Sequence, residues 1–247
     1  MEILVFFILH WILSLFFQTF FLHRYASHRM FVMNNTWEKI FFILTYLAQG
    51  SSFLNPRAYA IMHRMHHAFS DTEKDPHSPH FFKSVFSLMW KTKDVYTNLI
   101  NNNFDDGERF EKNVPTWEKF ENFTDKWHHR FFWGILYTIF YIVFAEYWFQ
   151  FLLLPAHFLM GPIHGAIVNW CGHKYGYSNF KDTRDNSKNT LPFDFLTFGE
   201  LFQNNHHKFP QKVNFAVKPF EIDPTYPIIK LFSWLGIIKL KTNKVTK

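Results

Sequence analysis

The sequence has a single cysteine, Cys171, among its 247 residues. One cysteine excludes an intramolecular disulfide, and it excludes zinc and iron–sulfur sites built from cysteine thiolates. Any metal ion held by this chain must therefore have nitrogen and oxygen ligands. Charged residues are also scarce, at 19 %, whereas hydrophobic residues make up 48 % and include 34 phenylalanines. This balance favours a membrane protein with material for one large core.

Lysine and arginine are missing from two long stretches of the chain, residues 1–23 and 131–173. All 26 of them lie in 24–130 and 174–247. The positive-inside tendency then places both basic blocks in the cytoplasm and both uncharged stretches in the bilayer. The first residues also lack the basic start and the cleavage site of a secretory signal peptide. The net charge of +6 comes without a basic-aromatic module, so nucleic acid is not an expected partner.

Hydropathy predicts an all-α integral membrane protein with about three transmembrane helices and a cytoplasmic helical cap. The single domain, 1–247, has its spans at about 3–22, 131–149 and 152–171 and its cap at 23–130 and 172–247. The segment 36–54 is also apolar, but a crossing there would separate the histidines before it from those after it. It is therefore predicted to be an interfacial or re-entrant helix. For 227–240, which has an apolar face and a basic end, lying on the membrane and packing on the cap both remain open.

Histidine is abundant, with 15 residues, and eight of them form clusters that each follow an apolar segment. The clusters are HRYASH with His23 and His28, HRMHH with His63, His66 and His67, NWCGH with His173, and QNNHH with His206 and His207. Positions i, i+3 and i+4 of a helix share one face, so HRMHH projects three imidazoles into one region. His23 and His28 are i and i+5, which fits one site only if the helix ends there. These clusters predict a metal site with imidazole ligands at one edge of the membrane.

Three segments, HRYASHR, HRMHHAFSDTEKDPHSP and GELFQNNHHKFP, resemble the three histidine boxes of the membrane fatty acid desaturases. They are nearest to the stearoyl- or acyl-CoA delta-9 branch. The resemblance implies a di-iron enzyme whose helices hold an acyl chain and whose cap binds the carrier head group. It implies one iron on five histidines, which are His23, His28, His63, His67 and His206. The other iron is implied on His66, His173 and His207, with Asn169 acting through a water molecule.

Two departures from the delta-9 pattern bear on these expectations. Gln203 stands where that pattern has a histidine, which leaves the second iron with a weak amide ligand or with one ligand fewer. Glutamine at this place also recurs in front-end desaturases. The family usually has two spans before the first box, whereas one is predicted here. Near the histidines in sequence, Asp71, Asp75 and Glu200 are candidate acceptors for hydrogen bonds from the imidazoles.

The resemblance implies an O2-dependent enzyme that inserts a cis double bond into a saturated acyl chain carried by CoA, acyl carrier protein or lipid. Because the sequence lacks a fused cytochrome b5 haem motif and a flavin fingerprint, electrons are expected from a ferredoxin, a rubredoxin or cytochrome b5. The expected place is a bacterial inner membrane, with the site on its cytoplasmic face. Two alternatives remain open: a membrane di-iron hydroxylase or ketolase acting on a lipid, and a membrane metal transporter.

Overall fold

A long N-terminal helix carries the first histidines. The computed structural model describes residues 1–103 and 108–241, and these are mostly helical. The first helix is α-helical over Glu2–Phe17 (α1) and continues without a break as a π-helix over Gln18–Ser27. It is apolar and long enough to cross a bilayer. It extends past the predicted end at 22, because the i→i+5 bonding of the π-helix carries the backbone onward, and His23 therefore lies within the helix.

Two helices form a hairpin that returns the chain to these histidines. Helix α2 (Asn35–Gln49) begins where the Asn34 side chain accepts the N–H of Trp37, and α3 (Pro56–Phe69) begins with a similar asparagine cap. α2 packs along α1, and its 15 residues extend only about 22 Å. The chain then turns back through a short 3-10 helix, Gly50–Ser52. The histidines that precede and follow the segment 36–54 consequently lie together.

The remaining elements enclose this hairpin. The other α-helices are α4 (Val85–Ile100), α5 (Glu108–Glu111), α6 (Glu118–Thr124), α7 (Trp127–Phe144), α8 (Leu154–Phe158), α9 (Met160–Gly172), α10 (Gln203–Lys208) and α11 (Thr225–Trp234). Two further 3-10 helices lie at Pro79–Phe81 and Trp148–Leu153. Strand β1 (Phe31–Val32) pairs antiparallel with β2 (Lys239–Leu240), which brings the C-terminal segment onto the end of the π-helix.

The second half of the predicted membrane region differs from the prediction in its bounds and shape. Helix α7 covers Trp127–Phe144 rather than 131–149. The predicted span at 152–171 is broken, with a bend of 73° between Trp148–Phe158 and Met160–Gly172. Among the described residues one helix, Glu2–Ser27, can cross a membrane, or two segments can if the bent pair counts as one span. Three spans therefore remain a prediction, and 104–107 and 242–247 of the predicted cap lie outside the described residues.

A core of buried aromatic side chains surrounds the π-helix. It includes Phe20, Phe21, Phe31, Phe41, Phe42, Phe202 and Phe215. These rings come from the first helix, α2, β1 and the segments on either side of α10. Burying so much aromatic surface fixes the relative positions of the segments that carry the histidines.

Candidate metal centre

The π-helix places His23 and His28 on one face. In an α-helix, residues five apart lie about 140° from each other around the axis. Here the N–H of His28 donates to the carbonyl of His23 at 3.1 Å, so one turn takes five residues. The two ring centroids are consequently 4.9 Å apart. The helix ends at Ser27 with His28 as its C-terminal cap, so the i, i+5 pair fits a single site at the end of the helix, as the sequence predicts.

A group of five histidines brings its ring nitrogens together. The five are His23, His28, His63, His67 and His206, and one nitrogen of each lies within 4.8 Å of the others. Nε2 of His28 is 2.7 Å from Nε2 of His63, and Nε2 of His206 is 2.9 Å from Nε2 of His67. The first helix, α3 and α10 each contribute to this five-histidine group. Two nitrogens that share one metal ion at about 2.1 Å lie no more than roughly 4 Å apart, and both of these distances satisfy that limit.

A second group contains three histidines, each held by its own aspartate. The pairs are His66 with Asp75 at 2.9 Å, His173 with Asp71 at 3.0 Å, and His207 with Asp185 at 2.5 Å. A carboxylate accepts and does not donate, so each Nδ1 carries the hydrogen. In the neutral ring this leaves the lone pair on Nε2. The aspartates thus set both the tautomer and the ring orientation of the three-histidine group.

The free nitrogens of this group fit a bound cation. Nε2 of His66 and Nε2 of His207 face each other at 3.2 Å, which brings two lone pairs together. A shared proton would relieve that repulsion for the pair alone. Nε2 of His173 is buried without a hydrogen-bond partner, and it too lies within 4.8 Å of the other two. One metal cation satisfies all three nitrogens, so the residues fit a metal ion better than a proton.

The pKa values of the two groups differ. Burial, reinforced by neighbouring imidazoles, holds the pKa of His67 and His206 well below the usual histidine value, so these rings are neutral, the state in which histidines bind metals. In the three-histidine group, burial by itself would lower the pKa of His66, but the carboxylate of Asp75 outweighs it and raises that pKa. Burial by itself would raise the pKa of Asp71, but the hydrogen bond and the electrostatic attraction between Asp71 and His173 outweigh it and lower that pKa.

The carboxylate of Glu200 lies next to the five-histidine group. Its Oε2 lies 2.5 Å from Nδ1 of His23, and its other oxygen accepts the hydroxyl hydrogen of Thr19. The side chain is buried in the turn just before α10. A carboxylate therefore stands behind each of the two groups.

A cavity of about 1330 Å³ opens onto the histidines. Helices α1, α3, α4, α7 and α9 line it with mostly apolar side chains, and His23, His63 and Glu200 lie on its wall. Asn169 and Gln203 lie on the wall as well. The amide nitrogen of Gln203 donates to the carbonyl of Glu200 at 2.7 Å, and its side chain packs against Gly172, next to His173. The cavity joins an apolar space to the edge of the candidate centre.

The structure brings together the eight histidines singled out in the sequence, in the two sets stated there. Their ligand roles, and those of Asn169 and Gln203, remain predictions. Asp71, Asp75 and Glu200 each contact one of these histidines, although the sequence alone does not pair them. Asp185 is missing from the sequence-based candidates, because it lies 22 residues before His207 in an irregular segment that has no marking motif.

Comparison with known proteins identifies the family. The fatty acid desaturase family model matches residues 2–230. The chain belongs to the fatty acid desaturase family. It is 31 % identical over 228 residues to the Delta-9 desaturase-like 5 protein of Arabidopsis thaliana, which covers 89 % of this chain and 70 % of the relative.

Two bacterial relatives of this desaturase carry more specific names. The sn-1 stearoyl-lipid 9-desaturase of Synechocystis sp. is 29 % identical over 236 residues, covering 88 % of this chain and 64 % of the relative. The hex-5-enoyl-(acyl-carrier protein) acetylenase of Moorena producens is 28 % identical over 266 residues, covering 95 % and 76 %. Family membership makes this desaturase an oxidoreductase of fatty acyl metabolism, with buried histidine groups that could hold metal.

Proposed function

We propose that this desaturase is an O2-dependent di-iron enzyme that inserts a cis double bond into a saturated acyl chain, using external electrons. The five-histidine group and the three-histidine group would each hold one iron. Asn169, one helical turn before His173, would act on the second iron through a water molecule. Gln203 would supply a weak amide ligand or leave that position open. The electron donor would be a ferredoxin, a rubredoxin or cytochrome b5, at the cytoplasmic face of a bacterial inner membrane.

The proposal rests on one observation, which is that the apolar cavity reaches the histidine groups. Bound iron, with O2 and two electrons, supplies an oxidant strong enough to take hydrogen from an unactivated CH2 group. The chain itself holds and orients the substrate. Because His23 and His63 lie on the cavity wall, an acyl chain in the cavity has its methylene groups beside the five-histidine group. Imidazole ligands suit iron, and they resist oxidation better than thiolate ligands do.

Expression in a bacterial host auxotrophic for unsaturated fatty acids tests this function. The intact chain should restore growth and produce a monounsaturated acyl chain, two hydrogens lighter than its precursor by mass spectrometry. His67→Ala should abolish the product, whereas His128→Ala, at an exposed histidine outside both groups, should keep it. Product from His67→Ala would refute the metal assignment. A product heavier by one oxygen would instead assign a hydroxylase.

A further inference from the structure

Part of the cavity wall consists of apolar side chains that are also exposed at the protein surface. Among the described residues, seven large apolar side chains line the cavity and are also exposed at the protein surface. Five of them lie on α4 and on the first half of α7 and form what we call the α4–α7 slot. Their exposed fractions are Phe86 83 %, Trp90 66 %, Trp127 71 %, Phe131 65 % and Ile135 59 %. The other two are Ile139, further along α7, and Leu159, just before α9. A contiguous apolar opening of this kind is unfavourable in water and normal against lipid or a partner. The cavity therefore opens onto an apolar medium.

The arrangement of the two helices points that opening at the bilayer. Phe86 and Trp90 are i and i+4, so they share one edge of α4, while Val95 and Leu99 pack on α3 from its buried face. Beyond the slot, α7 continues with exposed apolar residues such as Ile142, so the slot merges with a surface suited to lipid. Tryptophan is enriched at membrane interfaces, and the slot has one on each helix.

The described part of the cavity wall has few charged side chains that could bind a soluble carrier. Besides the histidines they are Lys93, Asp125, Arg130 and Glu200. Arg130 donates to the carbonyls of Ser51 and Phe53, so its guanidinium is already engaged. Lys93 lies 4.5 Å from the centre of the Trp90 ring at the slot, and its ammonium also pairs with the exposed carboxylate of Asp94 at 3.3 Å. Because an exposed ion pair is weak, Lys93 remains able to meet the single phosphodiester of a lipid head group, whereas the wall offers too little positive charge for the several phosphates of CoA.

We propose that the acyl substrate enters through the α4–α7 slot from the bilayer, while it is still esterified to a phosphoglycerolipid. The inference rests on the proposed desaturase function and adds the carrier to it. The acyl chain slides between α4 and α7 toward His23 and His63, and the head group stays at the interface near Lys93. No transfer to a soluble thioester precedes the reaction.

A direct comparison of carriers tests the proposal. The full-length enzyme is reconstituted in diphytanoyl phosphatidylcholine vesicles with O2 and reduced ferredoxin, and receives distearoyl phosphatidylglycerol, stearoyl-CoA or stearoyl-acyl carrier protein. Intact-lipid mass spectrometry should show phosphatidylglycerol desaturated at least about tenfold faster than either thioester, a difference of about 1.4 kcal/mol. A thioester converted as fast or faster overturns the proposal. Failure with all three carriers refutes the desaturase function itself, and this inference with it.

A matched pair of variants tests the slot. Phe86→Glu puts a charge at the opening and should lower the rate on the lipid about tenfold, because a carboxylate there disfavours an acyl chain. Phe81→Glu, at an aromatic residue that is 50 % exposed and does not line the cavity, should keep the rate. Bound iron should be unchanged in both. Equal rates would overturn the slot, and Trp90→Gln, which adds no charge, repeats the test should Phe86→Glu fold poorly.

Discussion

At the scale of single residues, the aspartates behind the three-histidine group decide which ring nitrogen is free for metal. Asp71 accepts from Nδ1 of His173 at 3.0 Å, from the N–H of Asn186 at 2.7 Å and from the hydroxyl of Ser78 at 2.9 Å. The side chain is thus fixed before it orients the imidazole. Its role is one of positioning, since it reaches the candidate metal only through His173.

Asp71→Asn should weaken metal binding at the three-histidine group. The amide preserves shape but loses the negative charge and the strict acceptor character, and such partners change metal affinity by roughly 10–100-fold. We expect bound iron to fall from two toward one per chain in metal analysis. Asp182→Asn is the control, because Asp182 pairs with Lys208 at the surface. Two irons retained at full affinity in Asp71→Asn would contradict the prediction.

A buried arginine next to the first histidine makes a second residue-scale prediction. Arg24 is fully buried, lies 3.0 Å from Asp223 and donates to the carbonyl of Val213 at 2.8 Å. Arg24→Leu leaves Asp223 charged and buried, so the free energy of unfolding should fall by about 3–5 kcal/mol. Adding Asp223→Asn should recover part of that loss in denaturant unfolding. A double variant no more stable than Arg24→Leu alone would argue against a charge effect.

At the scale of helices, two glycines differ in what surrounds them. Gly50, at the end of α2, has φ 52°, and a Cβ there would meet the Tyr137 hydroxyl at 1.7 Å. Gly165, within α9, would meet nothing within 4 Å. Gly50→Ala should therefore lower the free energy of unfolding by about 1–3 kcal/mol. Gly165→Ala should be neutral or stabilise by about 0.5–1 kcal/mol, because alanine favours the helix.

Melting of the two purified variants in one detergent checks this contrast. Both changes add a single methyl group, so the melting temperatures of the two variants can be compared directly. Equal melting temperatures would show that the contact between the α2–α3 turn and α7 does not limit stability. The pair also tests the hairpin, since Gly50 is where the chain turns back.

The elements show how far the sequence alone predicts this fold. The apolar run at 3–22 and the i, i+3, i+4 pattern of HRMHH predict helices that the structure contains. The π-helix is not predictable from them, because nothing in QTFFLHRYAS marks a change from i→i+4 to i→i+5 bonding. The bend of 73° before α9 is also a tertiary effect. Gly161 and Pro162 permit it, but the contact of Gly161 with Ser52 positions it.

The candidate site, too, is predictable from the sequence only in part. Local spacing gathers the imidazoles of one helix, so His63, His66 and His67 can be grouped from sequence. Which aspartate meets which histidine depends on long-range packing, as with Asp185 and His207. Hydropathy also cannot set the number of spans, because the 15 residues of α2 and the broken α8–α9 segment resemble membrane helices in composition and differ from them in length and shape.

At the scale of the whole molecule, the two ends of the first helix are distinct. The N-terminal amine lies 4.0 Å from Glu146, just after α7, so these two ends meet. Both histidine groups lie at the opposite end, where the π-helix Gln18–Ser27 contributes His23. The helix has 26 residues and, at about 1.5 Å per residue, can cross a core of about 30 Å. A membrane around this helix would separate Glu146 from the histidines.

Cysteine labelling tests that separation, and the single native cysteine makes it practical. In a Cys171→Ser background, Glu146→Cys should react with a membrane-impermeant maleimide in intact spheroplasts, because the positive-inside tendency predicts that the basic segments stay in the cytoplasm. Lys181→Cys, on the exposed segment between α9 and α10, should react only after permeabilisation. The Cys171→Ser parent, which has no thiol, gives the background. Labelling of both positions in intact spheroplasts would contradict a membrane between them, and the reverse pattern would put the histidine groups outside.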